Sequence, residues 1–332
     1  MNTLSHARIR GTGFYVPERI LTNADLEKIV ETSDEWITTR TGIKERHIVA
    51  KGQAASDLAL EAAKAALADA GLAPEDLTHL IVSTVTPDSF TPACSCILQH
   101  KLGISGRVAM DMNAACSGFL YGLEQVRAII ALKPESVVLL VGAEVLTSRT
   151  NWEDRATCVL FGDGAGAVVV TGSADAADSG RILDTLLYSD GAGADLLMIT
   201  GGASSEPYAM GHVVGPSHFI RMQGQDVFKL AVRSMESVSR EILERNGLSI
   251  DDVALLIPHQ ANNRIIEAVG KKLGLSGERV YVNVDRYGNT SAASVPIALA
   301  EARASGRLPA GSLALLTAFG GGFTWGAALV RF

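Results

Sequence analysis

Cys116 stands in the run Asn113-Ala114-Ala115-Cys116-Ser117-Gly118-Phe119, whose small neighbours let a substrate approach a sulfur. The stretch before it, Arg107 to Met112, is apolar and reads as a buried strand. After it, Leu120, Leu123, Val126, Ile129 and Ile130 recur at three- and four-residue steps, the spacing of an amphipathic helix. Cys116 is thereby predicted at a strand-to-helix turn, on the first turn of the helix. Free N–H groups and the positive end of the helix dipole favour a thiolate there, and the thiolate is the nucleophilic form. The competing reading is an inert, buried cysteine. Three other places carry compatible chemistry. His259 follows Leu255-Leu256-Ile257, at the carboxyl end of an expected strand, and is either a site residue or a satisfied structural histidine. Asn289 follows the apolar run Val280 to Val284 and precedes a helix, as a site residue or an ordinary helix cap. The turn Phe319-Gly320-Gly321-Gly322-Phe323 either simply reverses the chain or aims a backbone N–H at a developing oxyanion.

Composition narrows the setting. A chain of 332 residues with 47% hydrophobic and 20% charged residues has ample material for a large core. Aromatics are only 5% against 33 glycines, so packing rests on Ala, Val, Leu and Gly, which suits close α/β layers. The net charge of −7, without any Lys/Arg-rich run, argues against nucleic acid, and an anionic partner requires a local basic patch. No apolar stretch is long enough to span a membrane. Met1 to Arg8 lacks the apolar core of a signal peptide, and four cysteines (Cys94, Cys96, Cys116, Cys158) in so long a chain fit reduced thiols and a cytoplasmic location.

The elements that must position these residues alternate. Ala7 to Tyr15 reads as a strand, Thr22 to Glu27 as an Asn-capped short helix, Ala54 to Ala70 as a helix stopped by Gly71, and His79 to Val85 and Val137 to Gly142 as buried parallel strands. The fold class is α/β. The chain also repeats itself. Gly71 to Ile81 aligns without gaps to Gly247 to Ile257, an offset of 176 residues (71 to 247), and each copy follows a long amphipathic helix, the second from Gly224 to Asn246. Leu102 to Gly106 echoes Leu273 to Gly277, and Phe161 to Val169 echoes Phe319 to Val330, in the same order. Two duplicated halves result, 1–172 and 173–332, with a junction rich in small residues from Gly172 to Asp178. Sites in such folds lie beyond the carboxyl ends of strands, so Cys116, His259 and Asn289 are expected to face one another.

Asn113–Phe119, His259-Gln260-Ala261-Asn262, Gly288-Asn289-Thr290-Ser291 and the ending Phe319-Gly320-Gly321-Gly322-Phe323-Thr324-Trp325-Gly326 resemble the β-ketoacyl-acyl-carrier-protein synthase III family. This is the initiating condensing enzyme of type II fatty acid synthesis, within the thiolase superfamily, and the likeness runs from Arg8 to Phe332. The resemblance implies a thiolase-like five-layer α-β-α-β-α fold of two halves and a homodimer formed through the sheets. It implies that Cys116, His259 and Asn289 are catalytic. Cys116 takes an acyl group from acyl-CoA, acetyl-CoA foremost, and His259 and Asn289 stabilise the enolate left when malonyl-acyl-carrier protein loses carbon dioxide. Backbone N–H groups of Cys116 and Gly321 match the family's oxyanion hole. Trp36 and Arg155 match the pair that sandwiches the CoA adenine, and Arg40 a residue near its phosphates. Lys229 and Arg264 match a basic patch for the carrier protein, and Phe90 a residue lining the partner subunit's acyl pocket. No cofactor beyond the CoA thioester substrate, and no metal, is implied.

The pair Cys94 and Cys96 departs from the pattern and is too few for a zinc site, so both read as packing residues. Gly191 to Ser217, rich in Gly, Ala and Ser, is expected to shape the acyl pocket individually. No cysteine follows Cys158, which disfavours a degradative thiolase, and no histidine takes the place of Asn289, as it does in elongating enzymes. A condensing enzyme of a polyketide or alkylquinolone-type pathway and a Cys–His thioester hydrolase are the alternatives.

Overall fold

The computed structural model describes residues 6–175, 179–211 and 213–332. Positions 176–178 of the expected junction, and the first five residues of the N-terminal stretch, lie outside them. The strands, in chain order, are His6–Tyr15 (β1), Arg19–Thr22 (β2), Glu45–Ile48 (β3), His79–Ser83 (β4), Val108–Met112 (β5), Val137–Val145 (β6) and Asp163–Ser173 (β7). They continue with Arg181–Ser189 (β8), Leu197–Met198 (β9), Arg221–Met222 (β10), Val253–Pro258 (β11), Leu313–Gly320 (β12) and Thr324–Arg331 (β13). The helices are Asn23–Leu26 (α1), Asp34–Thr41 (α2), Ala55–Ala70 (α3), Cys94–Lys101 (α4) and Gly118–Leu132 (α5). Gly224–Arg245 (α6), Asn263–Leu273 (α7), Val284–Tyr287 (α8) and Ser294–Ala304 (α9) complete them.

Nine strands form the main sheet in the order β11-β12-β13-β8-β1-β7-β6-β4-β5. Its two wings join through a single residue pair, Arg8 with Arg181. Outward from that seam one wing runs β1-β7-β6-β4-β5 and the other β8-β13-β12-β11. In both, the inner three strands are antiparallel neighbours and the next pairing is parallel. Beyond β11, one parallel bridge between Leu256 and Val280 stands where β5 stands in the other wing.

Three hydrophobic clusters mark three helix layers around the wings. Ala59, Ala62, Ala63 and Ala66 of α3 pack on Val141, Ala165, Ala167 and Val169. Between the wings, Leu120, Leu123 and Val126 of α5 and Val295, Ala298 and Leu299 of α9 meet Val138 and Leu140 on one side and Leu316 and Val330 on the other. Val232, Met235 and Val238 of α6 and Ile266 and Val269 of α7 cover Leu256, Leu315 and Leu329. This is the α-β-α-β-α stack. Along β12, Leu313 and Leu315 enter one cluster while Ala314, Leu316 and Ala318 enter another, so both faces are buried and the strand reads as continuously apolar. Small residues make the layers close: a Cβ on Gly11 would lie 2.3 Å from the backbone oxygen of Ala66 in α3.

Three expectations change. β5 is a strand, but an edge strand with Val108 and Met110 exposed at 48% and 39%, because among the described residues nothing pairs with its outer side. The cap of α1 is Thr22, which forms a capping box with Asp25, while the Asn23 amide donates to Ile43 O and Asp34. Of the two paired cysteines only Cys94 is a packing residue; Cys96 is exposed on the outer face of α4.

Candidate active site

Cys116 lies in a 3-10 turn, Ala115–Ser117, two residues ahead of α5 rather than on its first turn. Ala115 adopts a left-handed φ of 46°, a strained conformation for a side-chain-bearing residue, which lets the chain turn sharply out of β5. Contacts from both wings hold that strain. Thr324 Oγ1 donates to Ala114 O at 2.7 Å, Ser117 Oγ to Thr324 O at 2.9 Å and Ser83 Oγ to Gly118 O at 2.9 Å. Gly320 presses directly on the turn, since a Cβ there would sit 2.5 Å from the Cys116 nitrogen.

The same construction recurs in the second wing. Ser291, the counterpart of Ala115 at the 176-residue offset, has φ 48°, and its turn, Ser291–Ala293, leads into α9. Asn113 Oδ1 accepts the Ala115 N–H at 3.2 Å, and Asn289 Oδ1 accepts the Ser291 N–H at 2.9 Å. Ala292 occupies the cysteine's place, so only one turn carries a nucleophile.

These hydrogen bonds fix orientations. Because Asn289 Oδ1 takes the Ser291 N–H, its Nδ2 donors are turned the other way. Its backbone is pinned too: Asn289 N donates to Leu160 O at 2.8 Å and Gly162 N to Asn289 O at 3.1 Å. Under that segment Arg46 is fully buried and donates to Leu21 O, Asn23 Oδ1 and Val159 O. Burial, the leading cause, lowers its guanidinium to about 10 against upward pulls from Cys158 and Glu45. His259 leaves β11 with its N–H on Thr317 O at 2.8 Å, and its Nδ1 lies 2.6 Å from Ser294 Oγ. That hydroxyl also takes the Gln260 N–H at 3.4 Å; donating its own proton to Nδ1 is the arrangement that puts the ring proton on Nε2, the tautomer assigned here.

Cys116, His259, Asn289 and Gly321 line one cavity of about 1100 Å³. Its walls are mostly apolar, with Val85, Leu146, Leu160, Phe161, Ile220 and Met222 among the lining residues. α6 contributes seven lining residues, among them Gly224, Phe228, Ala231 and Met235 at helical spacing. The segment expected to shape the pocket contributes Ala194, Leu197, Met198 and Ile199. Asp190 and Phe323 exchange backbone hydrogen bonds of 2.8 and 2.6 Å and so seat it over the Gly-rich turn.

Burial dominates the electrostatics. The Cys116 thiol is pushed up to about 11 by desolvation, with the Ser291 hydroxyl pulling it down and Glu144 adding a further upward push. The expected net stabilisation of thiolate by the helix start is therefore not what this enclosed site shows. Desolvation lowers His259 to about 3, which keeps the imidazole neutral.

The remaining residues lie at the rim or beyond. Trp36, Arg40, Lys229 and Arg264 line the mouth. The guanidiniums of Arg40 and Arg155 each lie 4.8 Å from the Trp36 ring centroid, and Arg155 also donates to Glu31 O at 3.0 Å. Arg264 sits over Phe228 at 5.9 Å, and Lys229 approaches Asp226 at 3.8 Å. Phe90 is 79% exposed and away from this chain's cavity. Among the described residues no His, Cys, Asp or Glu group is arranged to hold a metal, and no helix is long and apolar enough to cross a membrane. Sequence reading missed Ser294 and Glu144. The repeat held a signal for the first, since Ser294 falls at the offset of Gly118 and His259 at that of Ser83.

Comparison with known proteins agrees with this layout. The family model described as 3-oxoacyl-[acyl-carrier-protein (ACP)] synthase III matches residues 110–202, and its C-terminal counterpart matches residues 243–332. A β-ketoacyl-[acyl-carrier-protein] synthase III of Nitratidesulfovibrio vulgaris (strain DP4) is 61% identical over 329 residues, 99% of each chain. The crystal structure of 3-oxoacyl-[acyl-carrier-protein] synthase III from Aquifex aeolicus VF5 has a TM-score of 0.90 at 50% identity, covering 98% of this chain and 100% of that one. The priming β-ketosynthase from the R1128 polyketide biosynthetic pathway has a TM-score of 0.90 at 33% identity, covering 100% and 98%. A shared layer architecture, two mirrored turns with one cysteine, and full-length likeness at such identity lead to one conclusion: the chain belongs to the β-ketoacyl-[acyl-carrier-protein] synthase III family of condensing acyltransferases.

Proposed function

We propose that the protein condenses an acyl-CoA primer, acetyl-CoA foremost, with malonyl-acyl-carrier protein to give a β-ketoacyl-carrier protein, the first condensation of type II fatty acid synthesis. The observation that carries this reading is the shared cavity in which a cysteine meets two oriented donors, His259 Nε2–H and Asn289 Nδ2–H. Cys116 sulfur attacks the thioester carbonyl of acyl-CoA, the carbon–sulfur bond to CoA breaks, and the thiol proton leaves with CoA. Backbone N–H groups of Cys116 and Gly321 are the donors for the tetrahedral oxyanion. Malonyl-carrier protein next occupies the same channel. Its carboxylate departs as carbon dioxide, and the electron pair left behind spreads onto the thioester oxygen as an enolate. A neutral imidazole and an amide both donate there without placing a competing positive charge nearby. The enolate carbon attacks the Cys116 thioester, and the thiolate released takes up a proton. This sequence needs no metal or redox cofactor.

The channel suits both substrates. From Gly224 to Met235 the α6 wall extends about 16 Å at ~1.5 Å per residue, comparable to the extended phosphopantetheine arm that CoA and carrier protein share. Trp36, Arg40 and Arg155 offer an aromatic face and two cations to a nucleotide end, and Lys229 and Arg264 to an acidic carrier. We also assign a homodimer, which an exposed β5 edge, unpaired among the described residues and carrying Val108 and Met110, and a 79% exposed Phe90 both support: Phe90 would then line the partner's acyl pocket. A cytoplasmic enzyme is consistent with four free thiols.

The test is intact-mass analysis with acyl-CoAs from acetyl to long and branched chains, followed by malonyl-carrier protein. Acyl-enzyme on Cys116 and labelled carbon dioxide release in equal amounts are expected, with acetyl-CoA the best primer. Acyl-enzyme persisting in Cys116→Ser, or free acid formed without malonyl-carrier protein, would overturn the reading.

A further inference from the structure

Arg46, on β3, is fully buried and takes no part in the mechanism above. Nη1 donates to Leu21 O at 3.2 Å and to Asn23 Oδ1 at 2.8 Å, and Nη2 donates to Val159 O at 2.8 Å. All three acceptors are neutral. Taking a cation out of water for neutral acceptors is costly, and an apolar side chain of similar volume would fill the space at less cost. What an apolar side chain could not do is tie these three segments together.

Val159 opens the segment that holds Asn289. One residue on, Leu160 O accepts the Asn289 N–H at 2.8 Å, and Gly162 N donates to Asn289 O at 3.1 Å, so Phe161 and Asn289 pair as a parallel bridge. Both sides of that bridge lie against the stem of Arg46. A Cβ on Gly162 would come 3.1 Å from Arg46 Cβ, and one on Gly288 would come 3.3 Å from it. The other end of the guanidinium is held by Asn23, whose amide donates to Asp34 Oδ1 and Ile43 O, both at 2.8 Å. Those two residues stand at the start of α2 and just past its end. Val159, Leu160, Phe161 and Asn289 all line the cavity, so a shift of the tied segment reaches the site directly.

We propose that Arg46 is a positioning residue for the condensation half-reaction: its guanidinium ties Val159 O to Asn23 and so sets where the bridge holds the Asn289 carboxamide. The inference rests on the reading of Asn289 as an enolate donor. Cys116 and His259 have other supports. The cysteine turn is held by Thr324, Ser117 and Ser83, and His259 Nδ1 by Ser294. Loosening Arg46 therefore displaces one donor of the enolate pair and leaves the nucleophile in place.

The test separates the two half-reactions. Arg46→Lys keeps the charge, but its single nitrogen, on a stem that ends short of the guanidinium's two terminal nitrogens, cannot meet acceptors on two sides. Acylation by saturating acetyl-CoA, followed by intact mass, should stay within about twofold of wild type, while labelled carbon dioxide release from preformed acetyl-enzyme and malonyl-carrier protein should fall about tenfold. Adding Arg46→Lys to Asn289→Ala should slow carbon dioxide release no further, because the position of an absent amide does not matter. A merely structural role lowers both half-reactions alike and adds to the Asn289→Ala loss, and either result overturns the proposal. Wild-type release in Asn289→Ala would overturn the proposed function and this inference with it. A large loss in Asn289→Ala beside wild-type release in Arg46→Lys overturns the inference alone. Should Arg46→Lys fail to fold, Asn23→Ala removes one acceptor and leaves the Val159 bond; carbon dioxide release should then fall about threefold with acylation unchanged. No loss in Asn23→Ala, or an equal loss in both steps, rejects the proposal.

Discussion

His259 Nδ1 and Ser294 Oγ lie 2.6 Å apart, and the contact joins the residue just past β11 to the first residue of α9, the helix between the wings. With Ser294 Oγ donating, the imidazole carries its own proton on Nε2. Without that contact the ring can flip or exchange tautomers, and half of the enolate's donor pair is lost part of the time. Ser294→Ala should therefore lower condensation about tenfold, which corresponds to ~1.4 kcal/mol of transition-state stabilisation. Acylation of Cys116 from acyl-CoA should stay near the wild-type rate. Labelled carbon dioxide release and intact mass separate the two steps; an equal loss in both would contradict a role confined to the enolate.

Two buried groups near the sulfur give opposite pH dependences of stability. His259 has its ordinary value of 6.5 in the unfolded chain but about 3 when folded, so the unfolded state binds the extra proton and stability falls as pH drops from 6.5 towards 3. Glu144 goes from 4.5 unfolded to about 7 folded, so the folded state holds the extra proton and stability falls as pH rises from 4.5 towards 7. Between 4.5 and 6.5 the two slopes, each at most about 1.4 kcal/mol per pH unit, oppose one another. Glu144→Gln should expose the histidine slope, with melting temperature rising from pH 5 to 6.5. His259→Gln should expose the other, with melting temperature falling over that range. Melting curves for both variants at pH 5, 5.5, 6 and 6.5 decide it, and slopes of the same sign in both would refute the assignment.

The neutral imidazole has a kinetic counterpart. A histidine that does not titrate above about 3 leaves no inflection at its usual value of 6.5. The condensation step, measured from preformed acyl-enzyme so that Cys116 ionisation drops out, should be flat in His259 from pH 5.5 to 8. A rate that falls tenfold per unit below 6.5 would mean that the imidazole is protonated in the working site.

The strands were legible because both faces of each central strand are buried: Leu80-Ile81-Val82 and Leu255-Leu256-Ile257 leave no polar alternation to confuse with a helix. The repeat was legible for a related reason. The turns at Ala115 and Ser291 need the same strained backbone and the same Asn before them, so both kept Asn two residues ahead of the strained position. Cys116, His259 and Asn289 could thus be placed in one site from sequence. What sequence could not give was the balance of desolvation against a helix start at Cys116, because that depends on how completely the other wing encloses the sulfur. Nor could it give Glu144, whose part in the pH dependence comes from its complete burial near the end of β6. The edge position of β5 was hidden too, since an apolar edge that another chain can cover has the same composition as a buried strand.

Gly320 and Cys116 are in backbone contact that a side chain cannot share. A Cβ on residue 320 would come within 2.5 Å of the Cys116 nitrogen and 3.1 Å of its Cα, and both are fixed by the strained turn. Gly320→Ala is expected to destabilise the fold by about 1–3 kcal/mol and to slow acylation at least tenfold, because the turn must shift to relieve the overlap. Gly191→Ala, where nothing lies within 4 Å, serves as the matched control and should leave both unchanged. Denaturant melts and acyl-enzyme formation give the two readouts. Wild-type acylation in Gly320→Ala would show that the turn tolerates displacement.

The rim offers the two substrates different charges. Trp36, with the guanidiniums of Arg40 and Arg155 each 4.8 Å from its ring centroid, is the group suited to a purine, while Lys229 and Arg264 are exposed cations spread along α6 and α7 at the same mouth. Lys229 is only loosely matched by Asp226 at 3.8 Å, and Arg264 rests on Phe228 rather than on a carboxylate. In an enzyme of net charge −7, we propose that such cations set where an acidic carrier docks. Lys229→Glu with Arg264→Glu should raise KM for malonyl-carrier protein about tenfold, and the difference from wild type should shrink as salt rises. KM for acetyl-CoA in the first half-reaction should change less than twofold. Trp36→Ala should do the reverse, raising KM for acetyl-CoA several-fold through lost stacking and leaving the carrier-protein step intact. A charge reversal that weakened both substrates equally would mean that Lys229 and Arg264 hold the shared arm and not the carrier's acidic face.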